Sequence, residues 1–374
     1  PPRSTLFPYT TLFRSFEMID TLHVSFHTEL SVNELDGKWT KHTTEWRNVF
    51  HQKKTIESYR RKIYIGSALV FLKYHTMDYT GEPLFDVEIS SMPKVLGYPD
   101  GYLLTDISPV VDKVNEVLRS LGGIPKDFDL WDGKILRIDF CFQFSLGENI
   151  DSYIDVISHL IYPHRGRGVY VNSPKRGIDN GICFKSKGSN CKFYDKGLDS
   201  SAKDFYGVLR MESSLSKPKA ITNAFGGLLT SPILREITND MLKAVLLKDL
   251  HLLGLDLPLI LDIDGAFEKL KSVYGAKQAL VLRDTLEAIH RCTAFSIKQI
   301  AEDLGVKKST VYYRIKEIKK ARIVPALNMS GKRLEPLSRF LMSDLFPEKQ
   351  QKSVVIPHRY TNRKNPSNFI MGSM

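Results

Sequence analysis

Residues 181–197 read GICFKSKGSNCKFYDKG. Two runs of alternating apolar and polar residues flank a short turn, the pattern of a β-hairpin. Gly188-Ser189 as a two-residue loop, glycine first, fits a type II′ turn. That register pairs Lys187 with Asn190, Phe184 with Phe193 and Cys183 with Tyr194. Strand side chains alternate between faces, so Ile182, Phe184, Cys191 and Phe193 share an apolar face. Cys183, Lys185, Lys192, Tyr194 and Lys196 share the other. Such a hairpin needs neighbours that bury the first face and continue the second.

Three further segments have that form. In KILRIDFCFQF (134–144), Leu136, Ile138, Phe140, Phe142 and Phe144 oppose Arg137, Asp139, Cys141 and Gln143. In LFDVEIS (84–90), Phe85, Val87 and Ile89 oppose Asp86, Glu88 and Ser90. In GVLRMESSLS (207–216), Leu209, Met211 and Leu215 oppose Arg210, Glu212 and Ser214. One antiparallel sheet accommodates them all, with helices on the apolar face. The expected fold is α+β, its polar sheet face open to a ligand.

The rest of the chain fits around that sheet. IDTLHVSF (19–26) reads as an opening strand, and residues 37–62 read as a charged connection. KIYIGSALVFLKYH (62–75) is a second strand region, and Met92-Pro93 marks a turn. A helix is expected over 108–120, stopped by Gly122-Gly123, and another over 149–161. Residues 163–181 make a basic Gly/Pro-rich loop, and helices fill 231–290.

The 374 residues are 42% hydrophobic and 25% charged, ordinary for a folded protein, with a net charge of +11. That excess favours an anionic partner, nucleic acid or an anionic membrane surface, although a plain basic protein has it too. No apolar run is long enough to span a membrane. The four cysteines form no CxxC pair and no export signal precedes them, which points to reduced thiols in a cytoplasm. No zinc motif and no His-x-His pair is present.

The polar face carries carboxylates on three strands, a tyrosine and lysines. An outer sheet face is polar whenever it meets water, but this combination also suits metal-assisted chemistry on a phosphodiester. Glu88, Asp139 and Glu212 would hold Mg²⁺ or Mn²⁺ through hard oxygen ligands. Tyr194 would attack phosphorus, and Lys196, two residues on, would lower the phenol pKa or neutralise transition-state charge.

MIDTLHVSF, VEISSMPKVLG, ILRIDFCFQF, CKFYDKG and VLRMESSLS occur in this order. Over Met18 to Ser216 the chain resembles the gene II family of filamentous-phage and plasmid replication initiators, and more distantly the plasmid rolling-circle initiators. The resemblance implies an origin-specific endonuclease and strand transferase. It would nick one strand of a double-stranded replicative form through a 5′-phosphotyrosine and later reclose the displaced single strand. It implies a bacterial cytoplasm, a host helicase and a host polymerase. The family's Tyr-x-Lys nucleophile segment falls on Tyr194 and Lys196. The chain departs from the wider superfamily in lacking a His-hydrophobe-His metal pair, which leaves carboxylates alone or help from His75 or His164. Tyr206 is the nearest rival nucleophile, although its place before a glycine suits a packing residue. The loop Arg165–Arg176 suits DNA backbone, as do Lys185 and Lys192.

FSIKQIAEDLGVKKSTVYYRIKEIKKARI (295–323) has the grammar of a helix-turn-helix. Ile297, Ile300, Ala301 and Leu304 mark one apolar helix side, and Gly305-Val306 the turn. Val311, Ile315 and Ile318 pack the second helix. Lys308, Ser309, Thr310, Tyr312, Tyr313, Arg314 and Lys316 are then the expected DNA contacts. A helical hairpin with a solvated face has the same periodicity. A helix-turn-helix regulator without catalysis, or a relaxase- or transposase-type strand transferase, therefore remains an alternative.

TLFPYTTLFRS (5–15) lies outside the resemblance and equals the in-frame translation of a short-read sequencing adapter. The expected organisation is adapter-derived leader at 1–17, endonuclease domain at 18–260 and a helical region at 261–345 with the helix-turn-helix at 294–323. A basic, disordered tail follows at 346–374.

Overall fold

The computed structural model describes residues 19–337, apart from 48–52, 77–80, 100, 105, 164, 171–180, 201–204, 226–231 and 293–295. Ten strands appear among them. β1 is Ile19–His27, β2 Thr40–Arg47, β3 Lys53–Ile65, β4 Ala68–Thr76 and β5 Pro83–Ile89. β6 is Lys134–Ser145, β7 Gly166–Tyr170, β8 Gly181–Ser186, β9 Ser189–Asp195 and β10 Val208–Leu215. They form one sheet in the order β2-β3-β4-β5-β1-β6-β10-β9-β8-β7, and the neighbours pair antiparallel. The first strand thus sits between the two hairpin systems, bonded to β5 on one side and β6 on the other.

Ten α-helices among the described residues accompany the sheet. They are α1 (Met92–Val95), α2 (Ser108–Arg119), α3 (Ile150–Ser158), α4 (Lys196–Ser200) and α5 (Pro218–Ala224). Then come α6 (Asn239–Leu253), α7 (Ile263–Tyr274), α8 (Ala276–Arg291), α9 (Ile297–Asp303) and α10 (Lys308–Lys320). The fold is α+β. Phe85, Phe140, Phe144, Phe184 and Phe193 from the apolar face are fully buried, each contributing roughly 2 kcal/mol of transfer free energy. α2, α3, α5 and α6 supply Val111, Val156, Ile221 and Leu246 to that core. α6 begins at Thr238, whose hydroxyl accepts from Met241 N, and ends at Gly254 with φ +85°, a left-handed stop that glycine adopts without strain.

The main core also takes Val324, Ala326, Leu334 and Leu337, so the chain returns to the sheet after α10. Two smaller clusters hold the helices together. Leu270, Leu282, Leu286 and Ile318 join α7, α8 and α10, and Ile289, Ile300, Val311 and Ile315 join α8, α9 and α10.

Several sequence expectations change. The charged connection at 37–62 contains all of β2 and the first part of β3, so the sheet is larger than expected. At 62–75 the chain is the end of β3, a turn at Gly66 (φ +60°) and most of β4, a hairpin rather than a single strand. Met92-Pro93 opens a short helix, and the basic loop contains β7. Within β6 the register slips between His23 and Val24 of its partner β1. Ile135, rather than Leu136, is consequently the fully buried residue there.

The central hairpin is also corrected. Ser186 pairs with Ser189, so the loop is Lys187-Gly188, with the positive φ (+96°) on its second residue. Phe184 faces Cys191 and Cys183 faces Lys192. Partners shift by two, an even number, so each side chain keeps its expected face. Lys196 is not a strand residue: β9 ends at Asp195 and α4 starts at Lys196. The leader, the 346–374 tail, His164 and residues 171–176 of the basic loop lie outside the described residues.

Candidate active site

The antiparallel register sets Tyr194 beside Arg210, and Arg210 beside Gln143, on one rung of the polar face. The next rung is Lys192, Glu212 and Cys141, and the one after it carries Ser214 and Asp139. Further on, Arg137 faces His23, and His23 faces Glu88. Tyr194, Lys192, Glu212, Asp139 and Glu88 therefore do lie on one face, stepping diagonally across five strands.

Tyr194 is 3% exposed, and its hydroxyl donates to Glu212 Oε2 at 3.2 Å. Glu212 Oε1 accepts from Lys192 Nζ at 2.5 Å. Burial works to raise the Glu212 carboxyl, but Lys192, Arg210 and the Tyr194 hydroxyl outweigh it and hold the pKa below the ordinary value. Burial pushes the Tyr194 phenol well above its usual pKa, with Arg210 opposing and Glu212 reinforcing the rise. The resting phenol is therefore protonated, and its hydrogen bond ends on an ionised carboxylate.

Arg210 is fully enclosed. One guanidinium nitrogen donates to Cys141 Sγ at 3.0 Å, and its Nε has no hydrogen-bond partner among the described residues. Burial pushes the Cys141 thiol up to about 12, against the pull of Arg210, so this cysteine stays protonated. Lys196 Nζ is bound to Asp199 at 2.6 Å and lies 6.0 Å from the Tyr194 ring centroid. The Gly101 backbone packs on it: a Cβ on Gly101 would stand 2.7 Å from the lysine Cε and 2.9 Å from Phe205. Gln143 Nε2 donates to the Gly101 carbonyl at 2.6 Å. The tyrosine end of the face is thus covered by the Gly101 segment and Phe205, while Arg137 and Glu88 at the other end are about a third exposed (40% and 37%).

The three expected metal carboxylates are occupied by cations. Arg137 grips Asp139 with two bonds, 3.1 and 2.5 Å, and reaches Glu88 at 3.8 Å. Burial raises the Asp139 pKa despite Arg137. Among the described residues no three His, Cys, Asp or Glu side chains stand together as a metal-binding group. The donor set as arranged, with each carboxylate held by Arg137 or Lys192, does not fit a resident Mg²⁺ or Mn²⁺. His75 is engaged elsewhere: its Nε2 lies 2.9 Å from buried Asp86, which also accepts from Ser25 at 2.6 Å and has His23 at 3.8 Å.

Sequence reading assigned no role to Arg210, Arg137, Asp86 or His23. The signal was present in part, since Arg210 and Arg137 alternate with Glu212 and Asp139 on the same strand face. Tyr206, expected to pack, is 75% exposed.

α9 and α10 are two helices joined by a short turn where the helix-turn-helix was expected. The Ser296 hydroxyl caps α9 by accepting from Gln299 N, and Gly305 (φ +62°) makes the turn, with Val306 N returning to Ala301 O at 2.8 Å. Lys308, Ser309, Tyr312, Tyr313 and Lys316 are exposed, and their spacing puts them along one side of α10. Thr310 and Arg314 are half-buried, and Arg314 donates to Thr285 on α8 at 3.3 Å. Lys185, at the end of β8, is exposed. None of the described helices is long and apolar enough to cross a membrane.

No protein-family model matches the chain, and a search of curated proteins finds no match. Three solved structures show faint likeness. A rolling circle replication initiator protein from Geobacillus stearothermophilus is 11% identical, with 53% of this chain and 73% of that one covered, at a TM-score of 0.26. The di-domain ARO/CYC StfQ of the steffimycin biosynthetic pathway is 11% identical, with 64% and 86% covered and a TM-score of 0.19. The di-domain ARO/CYC BexL of the BE-7585A pathway is 13% identical, with 64% and 88% covered, also at 0.19. At such scores, likeness to an initiator and to two unrelated di-domain proteins decides nothing about activity.

Proposed function

We propose that the chain is a tyrosine-dependent DNA strand transferase that initiates rolling-circle replication by nicking and rejoining one strand at a double-stranded origin. The observation that carries this reading is the Tyr194 hydroxyl bonded to an ionised Glu212, with Lys192 and the buried Arg210 on adjoining positions. A sheet face needs no such group to be soluble, whereas transesterification of a phosphodiester has a use for a nucleophile, a proton acceptor and cations.

The bonds balance within the chain's own groups. Glu212 takes the phenol proton as the Tyr194 oxygen attacks phosphorus. The oxygen–phosphorus bond forms, the bond to the 3′ oxygen breaks, and the proton held by Glu212 is relayed through Lys192 to that leaving oxygen. Cations at Arg210 and Lys192 stabilise the charge that builds on the phosphoryl oxygens. The product is a 5′-phosphotyrosine and a free 3′ hydroxyl, and the reverse reaction reseals the strand. Because Tyr194 is enclosed, its surroundings must move aside for DNA. The exposed side of α10 would hold the duplex, with Lys308 and Lys316 at phosphates and Ser309, Tyr312 and Tyr313 toward the bases.

Incubation with supercoiled DNA carrying the cognate origin, with and without Mg²⁺ or Mn²⁺, tests the reading. The expected result is a relaxed circle with protein attached at a 5′ end. Origin binding with no nick under any condition would leave a helix-turn-helix regulator and end the enzymatic reading.

A further inference from the structure

The polar face continues beyond Glu88 onto β4, β3 and β2, and the chemistry above uses none of that half. Register places Arg60, Lys73 and Asp86 on one rung. Lys62, Phe71 and Glu88 share the next, which continues through His23 to Arg137. Adjacent strands stand about 4.8 Å apart and successive rungs roughly 7 Å apart, so these cations form a closely spaced track. Arg60, Lys62, Lys73, Asp86 and Glu88 line a cleft of about 760 Å³ together with Lys38.

Charge on this track is unbalanced. Lys38, Arg60 and Lys62 are exposed. Two acids lie among them: Asp86 is buried and bonded to His75 and Ser25, with Lys73 Nζ 3.9 Å away, and Glu88 has Arg137 at 3.8 Å, which leaves Lys38, Arg60 and Lys62 in excess. Phe71 is the anomaly: a half-buried aromatic ring on a charged face, with Lys62 Nζ 5.3 Å from its centroid. The contact with Lys62 uses one side of the ring, and the ring is only half-buried. A nucleobase stacked on it would bury it further, and only an unpaired base presents a free face.

We propose that the β2–β4 half of the polar face binds single-stranded DNA, with Lys38, Arg60, Lys62 and Lys73 at phosphates and Phe71 under a base. The strand then runs past Arg137 toward Lys192 and Tyr194. This rests on the strand-transfer reading for the identity of the nucleic acid, and adds the place where the reacting strand is gripped.

The test is fluorescence anisotropy of the full chain with a labelled dT15 oligonucleotide in EDTA, where no nicking is needed for a signal. Phe71→Ala should weaken dT15 binding about 5- to 150-fold at constant salt. Arg60→Glu with Lys62→Glu should weaken it further and flatten its salt dependence. Binding of origin duplex, held by α10, should change less than threefold in both. Both side chains reversed in the pair are exposed, and matching circular dichroism would show that the fold is kept. Unchanged dT15 affinity in both variants, or equal loss for duplex, would overturn the proposal. An rU15 oligonucleotide bound as tightly as dT15 would overturn its assignment to DNA. If Phe71→Ala loses dT15 while wild type never nicks, the surface stands and the strand-transfer reading alone falls.

Discussion

Tyr194 and Glu212 meet on a diagonal: Tyr194 stands opposite Arg210 and Glu212 opposite Lys192, yet the phenol reaches the carboxylate one rung away at 3.2 Å. Diagonal neighbours on a sheet face are close enough for a long side chain to bridge. The tyrosine therefore has a proton acceptor supplied by the strand next to its own.

That relationship predicts which tyrosine forms the adduct. Tyr194→Phe should lower 5′-adduct formation more than about 1,000-fold, as loss of a covalent nucleophile does. Tyr206→Phe should leave it within twofold, although Tyr206 is far more exposed. Denaturing gels of protein bound to end-labelled DNA read both, and an adduct surviving Tyr194→Phe would move the nucleophile elsewhere.

Glu212 has two partners, so replacing it has two effects. Glu212→Gln should slow adduct formation about 10²- to 10⁴-fold through loss of the proton acceptor. It also leaves the largely buried Lys192 ammonium without its counter-ion, a cost of about 3 kcal/mol. Glu212→Gln with Lys192→Met should recover much of the stability and none of the activity. Urea unfolding of the four proteins in that cycle measures the coupling; strict additivity would mean that the pair does not act as one.

Asp86 predicts a pH dependence. Burial disfavours its carboxylate, but bonds from His23, His75 and Ser25 prevail and hold its pKa well below the usual carboxylate range. A carboxyl lowered on folding stabilises the fold fully above its unfolded pKa of about 4, and the contribution disappears as pH falls through the folded value. Asp86→Asn should therefore cost about 2–4 kcal/mol at pH 7, with the gap to wild type closing below about pH 4. Thermal melts of both proteins from pH 7 down to pH 3 provide the check, and a constant gap would contradict it.

The α10 surface predicts a difference between two cations. Lys316→Ala should weaken duplex binding for every sequence tried and reduce the salt slope by about 1. Arg314→Ala should leave that slope unchanged, because its guanidinium is turned inward to Thr285. Anisotropy titrations between low and moderate salt distinguish the two; a slope that moves with Arg314 would show that it reaches DNA.

Alternation made the site's strands legible in the sequence. The faces of 84–90, 137–144, 181–195 and 208–215 follow from period two, and an even shift in hairpin register cannot change them. Lys187-Gly188 was misplaced by one because a single glycine serves either loop position, II′ or its alternative, and only the ladder decides. β2 was read as a connection because charged and hydroxyl residues occupy both of its faces, which an edge strand tolerates. The grip of His75 and Ser25 on Asp86 joins residues 11 and 61 positions away in the chain, and no local pattern encodes it. Lys196 was assigned to the strand because α4 is only five residues long and shows no helical period, although Asp195 caps it by accepting from Leu198 N at 3.0 Å.

The place of β1 has a consequence for how the protein can be cut and rebuilt. Strands β2–β5, with Lys62 and Phe71, join strands β6–β10, with Tyr194, through the ladder that β1 makes with β6. A chain severed between Tyr98 and Ser108 would leave the cationic half and the tyrosine half on separate polypeptides, each with one newly opened sheet edge. Fragment complementation would then be possible: two inactive pieces, made apart and mixed, would regain nicking only by zipping Ile19–Ser25 onto Lys134–Phe140.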